Sequence, residues 1–202
     1  MAHDPEHAYV GRGGLKLRHA LDSFGIDPRG MRCADFGCNI GGFTDCLLQA
    51  GAVFVYAIDT GYGALAWKLR QDPRVGVMER TNALHATPPE PSERVNLVVI
   101  DMGWTPQRLC IPAAVKWLAP GGRIVSLIKP HYEVSKAEAA ELLDRGVLAP
   151  DRAEAIASRT LESLSSQGIC VMGSVRSPLE GGAGKGNARG NAEWLALLAP
   201  GS

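Results

Sequence analysis

Asp35-Phe36-Gly37-Cys38-Asn39-Ile40-Gly41-Gly42-Phe43 follows the short apolar entry Met31-Arg32-Cys33-Ala34 and precedes a helical pattern from Thr44 to Ala50. A strand that runs into glycines and then a helix can bring backbone close to a ligand, because Gly lacks a Cβ and tolerates unusual dihedrals. The spacing decides which ligand. A dinucleotide loop needs Gly-x-Gly-x-x-Gly, so that a helix N-terminus can hold pyrophosphate. Here the glycines stand at 37, 41 and 42, with Cys38 after the first. That template fails, and an NAD-dependent dehydrogenase fails with it. An acid at the strand end suits a cationic amine instead. On this reading Asp35 accepts from the amine, Gly37 and Gly41 let the backbone approach it, and Asn39, Gly42 and Phe43 complete the loop. The alternative is an ordinary strand-to-helix turn.

Outward from this loop, apolar runs of strand length recur at Val53–Ile58, Val75–Met78, Val95–Ile100 and Ile124–Ile128. Near-continuous Val and Ile indicate strands buried on both faces, as in a parallel sheet. Helical patterns lie between and after them, at Gly63–Arg70, Pro106–Leu118, Ser135–Asp144 and Asp151–Gln167. Alternating strand and helix predicts a doubly wound α/β sheet. Two further strands, Ile169–Val175 and Ala192–Leu198, are joined by Arg176–Asn191 with no evident helix, so the final pair should be antiparallel. Residues 1–30 are expected to form an arm and helix packed on a core domain of residues 31–202. Leu15, Leu17, Ala20, Leu21 and Phe24 would supply the contacts.

The 202 residues carry 21 Lys plus Arg against 21 Asp plus Glu. The overall charge therefore points to no partner, and a nucleic-acid surface would have to be a local patch. The five cysteines form no Cys-x-x-Cys pair, and the five histidines are scattered. Neither a disulfide framework nor a metal site is indicated, and reduced thiols suit a cytoplasmic protein. No secretory signal or apolar run of membrane-spanning length is evident, so no membrane role is expected.

Asp59 ends the second strand, just over twenty residues past Asp35. In doubly wound nucleotide folds an acid there accepts ribose hydroxyls. S-adenosylmethionine carries both that ribose and a cationic amine, which makes it the cofactor these acids fit. A helix cap is the alternative for Asp59. Asn82, after the third strand, is placed to read an adenine edge or to make a turn. Asp101 ends the fourth strand and Lys129 the fifth, so both should emerge at the carboxyl edge, where ligands bind in open α/β folds. The glycine-rich Arg176–Asn191 stretch, with Lys185 and Arg189 near its tip, fails the phosphate-loop spacing. It reads either as a mobile nucleic-acid clamp or as a solvated connection.

With these residues in place the chain resembles the FtsJ-like RNA 2′-O-methyltransferases, and most of all their TlyA branch, which bears hemolysin names and acts on ribosomal RNA. The likeness runs through Gly11-Arg12-Gly13-Gly14-Leu15-Lys16-Leu17, Gly41–Leu48, Asp59-Thr60-Gly61-Tyr62-Gly63 and the long block Leu65–Val75. Met78–Ala83, Ile128-Lys129-Pro130 and Gly190-Asn191-Ala192-Glu193 complete it. The resemblance implies a Rossmann-like methyltransferase sheet, S-adenosylmethionine as cofactor, and a catalytic set of Lys16, Asp101, Lys129 and Glu193. Cys38-Asn39-Ile40 and Met102-Gly103-Trp104 depart from the family's usual residues. The S4 RNA-binding domain that precedes this module in TlyA proteins has no counterpart in these residues, so an accessory RNA-binding partner is one expectation.

The activity this implies is methyl transfer to a ribose 2′-hydroxyl of structured RNA, with ribosomal RNA the foremost candidate. A catalytically silent module that binds RNA or cofactor is the alternative. Lys129 is expected to act as the base, with burial and the neighbouring Lys16 ammonium lowering its pKa and Asp101 and Glu193 orienting the lysines. Arg12, Lys16, Arg18, Lys185 and Arg189 are expected to contact phosphates. Trp104 and Tyr132 either stack on a flipped base or plug the core.

Overall fold

The computed structural model describes residues 8–182 and 190–201. In chain order the elements are α1 (Gly13–Phe24), β1 (Arg32–Phe36), α2 (Gly42–Gln49), β2 (Phe54–Ile58), α3 (Trp67–Arg70), β3 (Val75–Met78), β4 (Val95–Ile100), α4 (Gln107–Val115) and β5 (Leu118–Ile128). There follow α5 (Pro130–Glu133), α6 (Lys136–Leu142), β6 (Leu143–Asp144), β7 (Val147–Leu148), α7 (Pro150–Ser166), β8 (Ile169–Arg176) and β9 (Trp194–Pro200).

Seven strands pair in the order β3-β2-β1-β4-β5-β9-β8. The pairs from β3 through β5 are parallel, and β9 runs antiparallel to both of its neighbours. The chain thus forms the doubly wound, mostly parallel sheet expected, with its reversal confined to β9. Successive side chains point to opposite faces of a strand, and both faces here are buried. Leu97 and Val99 join Leu17, Leu21 and Leu47 of α1 and α2 on one side. Val98 and Ile100 join Ile111, Trp117 and Leu164 of the α4–α7 side on the other. That two-sided burial is why the strands read as unbroken apolar runs. Among the described residues no helix is long and apolar enough to cross a membrane.

The strand order reverses between β1 and β4. From β1 the chain winds outward to β2 and β3, then returns to lay β4 on the other side of β1. A crevice opens at such a point, above the carboxyl ends. Asp35, Asp59, Asp101 and Lys129 all come from those ends.

Two helical expectations need correction. Over Gly63–Arg70 only Trp67–Arg70 is helical. Gly63 sits at φ +74 with its N–H on the Glu79 carboxylate, and the Ala66 N–H goes to the Ile40 carbonyl, so loop contacts satisfy this backbone instead. The helix expected over Ser135–Asp144 stops at Leu142. Arg145 (φ +48) and Gly146 (φ +85) then turn the chain into the β6–β7 hairpin, the positive-φ pair that tight hairpins favour.

Candidate active site

A cavity of about 790 Å³ occupies the crevice, with Asp35, Asp59, Asn82, Asp101, Trp104 and Lys129 on its wall. Asp35 lies at its floor, fully buried. Thr44 Oγ1 donates to one carboxylate oxygen at 2.7 Å, and the other has no partner among the described residues. Burial pushes this carboxyl up to about 7, against the Thr44 hydrogen bond and with a further push from the Asp101 charge. A buried acceptor left open costs free energy unless a ligand fills it, and a cation is the ligand that relieves both the open valence and the raised pKa. Asp59 works differently. Its two oxygens accept the backbone N–H groups of Asn39 (2.8 Å) and Gly61 (2.7 Å), fixing two wall loops while lone pairs remain for hydroxyl donors. Asn82 makes the turn and also faces the cavity, its Oδ1 accepting from Leu84 N–H at 3.0 Å.

The glycines proved to have another reason. A Cβ at Gly37 (φ +84) would stand 2.7 Å from the Asp101 carbonyl oxygen, and one at Gly41 (φ +98) would strike Leu69 and Leu65. At Gly42 it would meet the backbone of Gly11 and Gly14. Close packing against the end of β4, against Leu65 and Leu69, and against the N-terminal arm therefore sets these positions, and Gly41 is not on the cavity wall. Gly37, Asn39, Gly42 and Phe43 are.

At the other end of the cavity Lys129 Nζ lies 2.5 Å from an Asp101 carboxylate oxygen. The antiparallel register Ile128↔Trp194 sets Glu193 beside Lys129, and Glu193 is ion-paired with the buried Lys16 of α1. All four residues of the expected catalytic set are thus brought together, but in two tiers. Asp101 and Lys129 face the cavity; Lys16 and Glu193 lie behind them, off its wall. Burial disfavours the Lys129 ammonium, yet Asp101, with Glu193 further off, outweighs it and holds the pKa above the ordinary lysine value. The expected lowering is overturned, because Lys16 is neutralised by its own partner Glu193 and opposes the Lys129 charge little. Burial likewise raises the Glu193 carboxyl, against the pull of Lys16.

The phosphate contacts expected from sequence fare unevenly. Arg12 is exposed on the cavity wall, with a guanidinium nitrogen 3.5 Å from the Glu180 carbonyl oxygen. Lys16 is buried against Glu193 and cannot reach a backbone phosphate. Arg18, two residues along α1 and so on another face of it, is paired with Asp22 away from the cavity. Lys185 and Arg189 lie outside the described residues. Trp104 does not plug the core: it is 86% exposed at φ +60, its ring 4.9 Å from that of the half-buried Tyr132.

Sequence reading missed the wall formed by Gly11 and Gly13. The glycine density of residues 11–14 was the available signal. The arm is held there by Asp45, which accepts from Val10 N–H at 2.8 Å, and by Tyr9, whose ring occupies the space a Cβ at Gly14 would need.

The model of the FtsJ-like methyltransferases matches residues 9–184. The 16S/23S rRNA (cytidine-2′-O)-methyltransferase TlyA of Mycobacterium tuberculosis is 48% identical over 135 residues, 67% of this chain and 50% of that protein. This chain thus spans about half the length of that relative. Hemolysin A of Brachyspira hyodysenteriae is 34% identical over 190 residues, 93% of this chain and 75% of that protein. A solved structure from Streptococcus thermophilus, described as a hemolysin, superposes with a TM-score of 0.84 at 36% identity, covering 100% of this chain and 70% of that one. The cavity at the strand switch, with its acids and Lys129, therefore sits in a chain that belongs to the FtsJ-like methyltransferase family.

Proposed function

We propose that this chain transfers a methyl group from S-adenosylmethionine to a ribose 2′-hydroxyl of ribosomal RNA, in the cytoplasm where ribosomes work. The observation that carries the reading is the shared cavity: a buried, half-open carboxylate at one end and the Lys129–Asp101 pair at the other. Bound S-adenosylmethionine would supply an electrophilic methyl carried on a sulfonium. Asp35 would hold its ammonium, Asp59 its ribose and Asn82 its adenine edge, with Gly37, Asn39, Gly42 and Phe43 lining the pocket between.

A 2′-hydroxyl is a poor nucleophile and must be positioned and relieved of its proton. Lys129 would take that proton, with Asp101 fixing the direction of Nζ. Its raised pKa leaves only a small neutral fraction near neutrality, so the rate should climb with pH well into the alkaline range. A second cation in the same cavity would ease loss of the Lys129 proton. Lys16 and Glu193 would keep Lys129 in register from behind. Arg12 would contact phosphate, and Trp104, backed by Tyr132, would stack on the target base. The named chemistry of the Mycobacterium tuberculosis relative makes cytidine the first nucleotide to examine.

The test is incubation with tritiated S-adenosylmethionine and isolated bacterial 30S and 50S ribosomal subunits, followed by digestion and mapping. Label on a ribose 2′-oxygen is the expected result. No transfer to either subunit, or label on a base, would overturn the reading.

A further inference from the structure

Behind Lys129 lies a polar network that neither the cavity nor the apolar core accounts for. Gln107 opens α4 and is 3% exposed. Its Nε2 donates to the Leu127 carbonyl at 3.2 Å, and its Oε1 accepts from Ser126 Oγ at 2.5 Å. The Gln107 backbone N–H is one of those a helix start leaves without an intrahelical partner, and the residue before it, Pro106, offers no side-chain cap. Glu133 supplies the cap from another element: its two oxygens accept this N–H at 2.9 and 3.2 Å.

The position of these partners matters. Ser126 and Leu127 belong to β5, which ends one residue before Lys129. Glu133 closes α5, which begins directly after Lys129. Gln107 follows the loop that leads from Asp101 through Trp104. The three segments that flank the Lys129–Asp101 pair are therefore tied at one point. An exposed Ser or Asp before α4 would cap the helix without burying charge. Glu133 instead is half-buried, and burial pushes its carboxyl up to about 7, against the Gln107 N–H and the Arg108 charge. Arg159 of α7, itself paired with Glu138 of α6, lines the same hollow as Glu133 and Arg108.

The sign follows from the ordinary value of 4.5. An acid whose pKa is raised on folding weakens the fold as pH rises from the unfolded value to the folded one. Keeping Glu133 ionised thus costs stability, which points to a use beyond capping.

Taking the proposed methyl transfer as given, we propose that Glu133, acting through Gln107, is a positioning residue. Its carboxylate clasps the start of α4 onto the end of β5 and sets where the Asp101–Thr105 loop stands relative to Lys129.

The test compares wild type with Glu133→Ala and Glu133→Gln, using tritiated S-adenosylmethionine and ribosomal subunits. Glu133→Ala should lower kcat by about tenfold to a hundredfold, the scale of a displaced reacting pair, with S-adenosylmethionine affinity unchanged. Glu133→Gln keeps one acceptor oxygen and should recover part of that loss. It should melt no lower than wild type at about pH 8. Wild-type kcat in both variants, or rate and melting temperature falling in proportion in both, would overturn the proposal. Amide hydrogen exchange supplies an arm that needs no turnover. At about pH 8, protection at Gln107–Leu109 should be lost in Glu133→Ala and largely kept in Glu133→Gln. If wild type methylates neither subunit, the proposed function fails, while equal protection in wild type and Glu133→Ala would overturn the clasp by itself.

Discussion

At the β1–β2 end of the cavity, Asp35 and Asp59 meet no cation among the described residues: one carboxylate is half open and the other holds backbone N–H groups. At the β4–β5–β9 end each acid has a lysine, Asp101 with Lys129 and Glu193 with Lys16. The first end carries net negative charge into a partly buried place, which a cationic ligand, or a proton on Asp35, relieves. The second is neutral in itself and has its geometry set before any ligand arrives. Binding and chemistry are thereby divided between the two halves of one sheet, with the switch between β1 and β4 as the seam. Substitutions on one side should leave the other side's observable nearly untouched.

The largest effect should come from Lys129→Ala. Loss of a general base lowers turnover by about a hundredfold to ten-thousandfold, which initial rates with ribosomal subunits would measure; a rate near wild type would break the division. Next is Glu193→Ala, which strands the buried Lys16 ammonium. Breaking a buried pair costs about 3–5 kcal/mol, read as a lower urea midpoint. The double variant with Lys16→Met should recover much of that loss. Trp104→Ala should raise KM for RNA with little change in melting temperature, since base–aromatic stacking contributes roughly 1–3 kcal/mol and the ring is exposed. The smallest effect sharpens the comparison from the binding side. Asp35 must be ionised to hold a cation, so its raised pKa of about 7 makes S-adenosylmethionine affinity level above that pH and weaker below it. The fall should approach about tenfold per pH unit. Calorimetry in a pH series checks the sign.

Much of this was legible in the sequence because it rests on local pattern. The strands announced themselves by apolar runs buried on both faces, and Asp35, Asp59, Asp101 and Lys129 by standing where those runs end. What escaped depends on contacts between distant segments. Gly37 reads as clearance for a ligand until Asp101, from the neighbouring strand, is seen against it. The direction of the Lys129 pKa turns on which acid each lysine faces, and composition cannot rank a 2.5 Å partner against burial. Arg18 and Lys16 look alike as basic residues of one helix, yet one meets Asp22 at the surface and the other Glu193 in the interior. Gln107 and Glu133 carry no motif, and their link appears only when α4 is set beside α5.

The division of labour is tested most directly by calorimetric titration of S-adenosylmethionine into wild type, Lys129→Ala and Asp35→Asn at about pH 8, above the Asp35 pKa. A charge-assisted hydrogen bond contributes roughly 1.5–3 kcal/mol, so Asp35→Asn should weaken binding by about tenfold to a hundredfold, while Lys129→Ala binds as wild type does. Equal losses in the two variants, or no binding by wild type, would contradict the account.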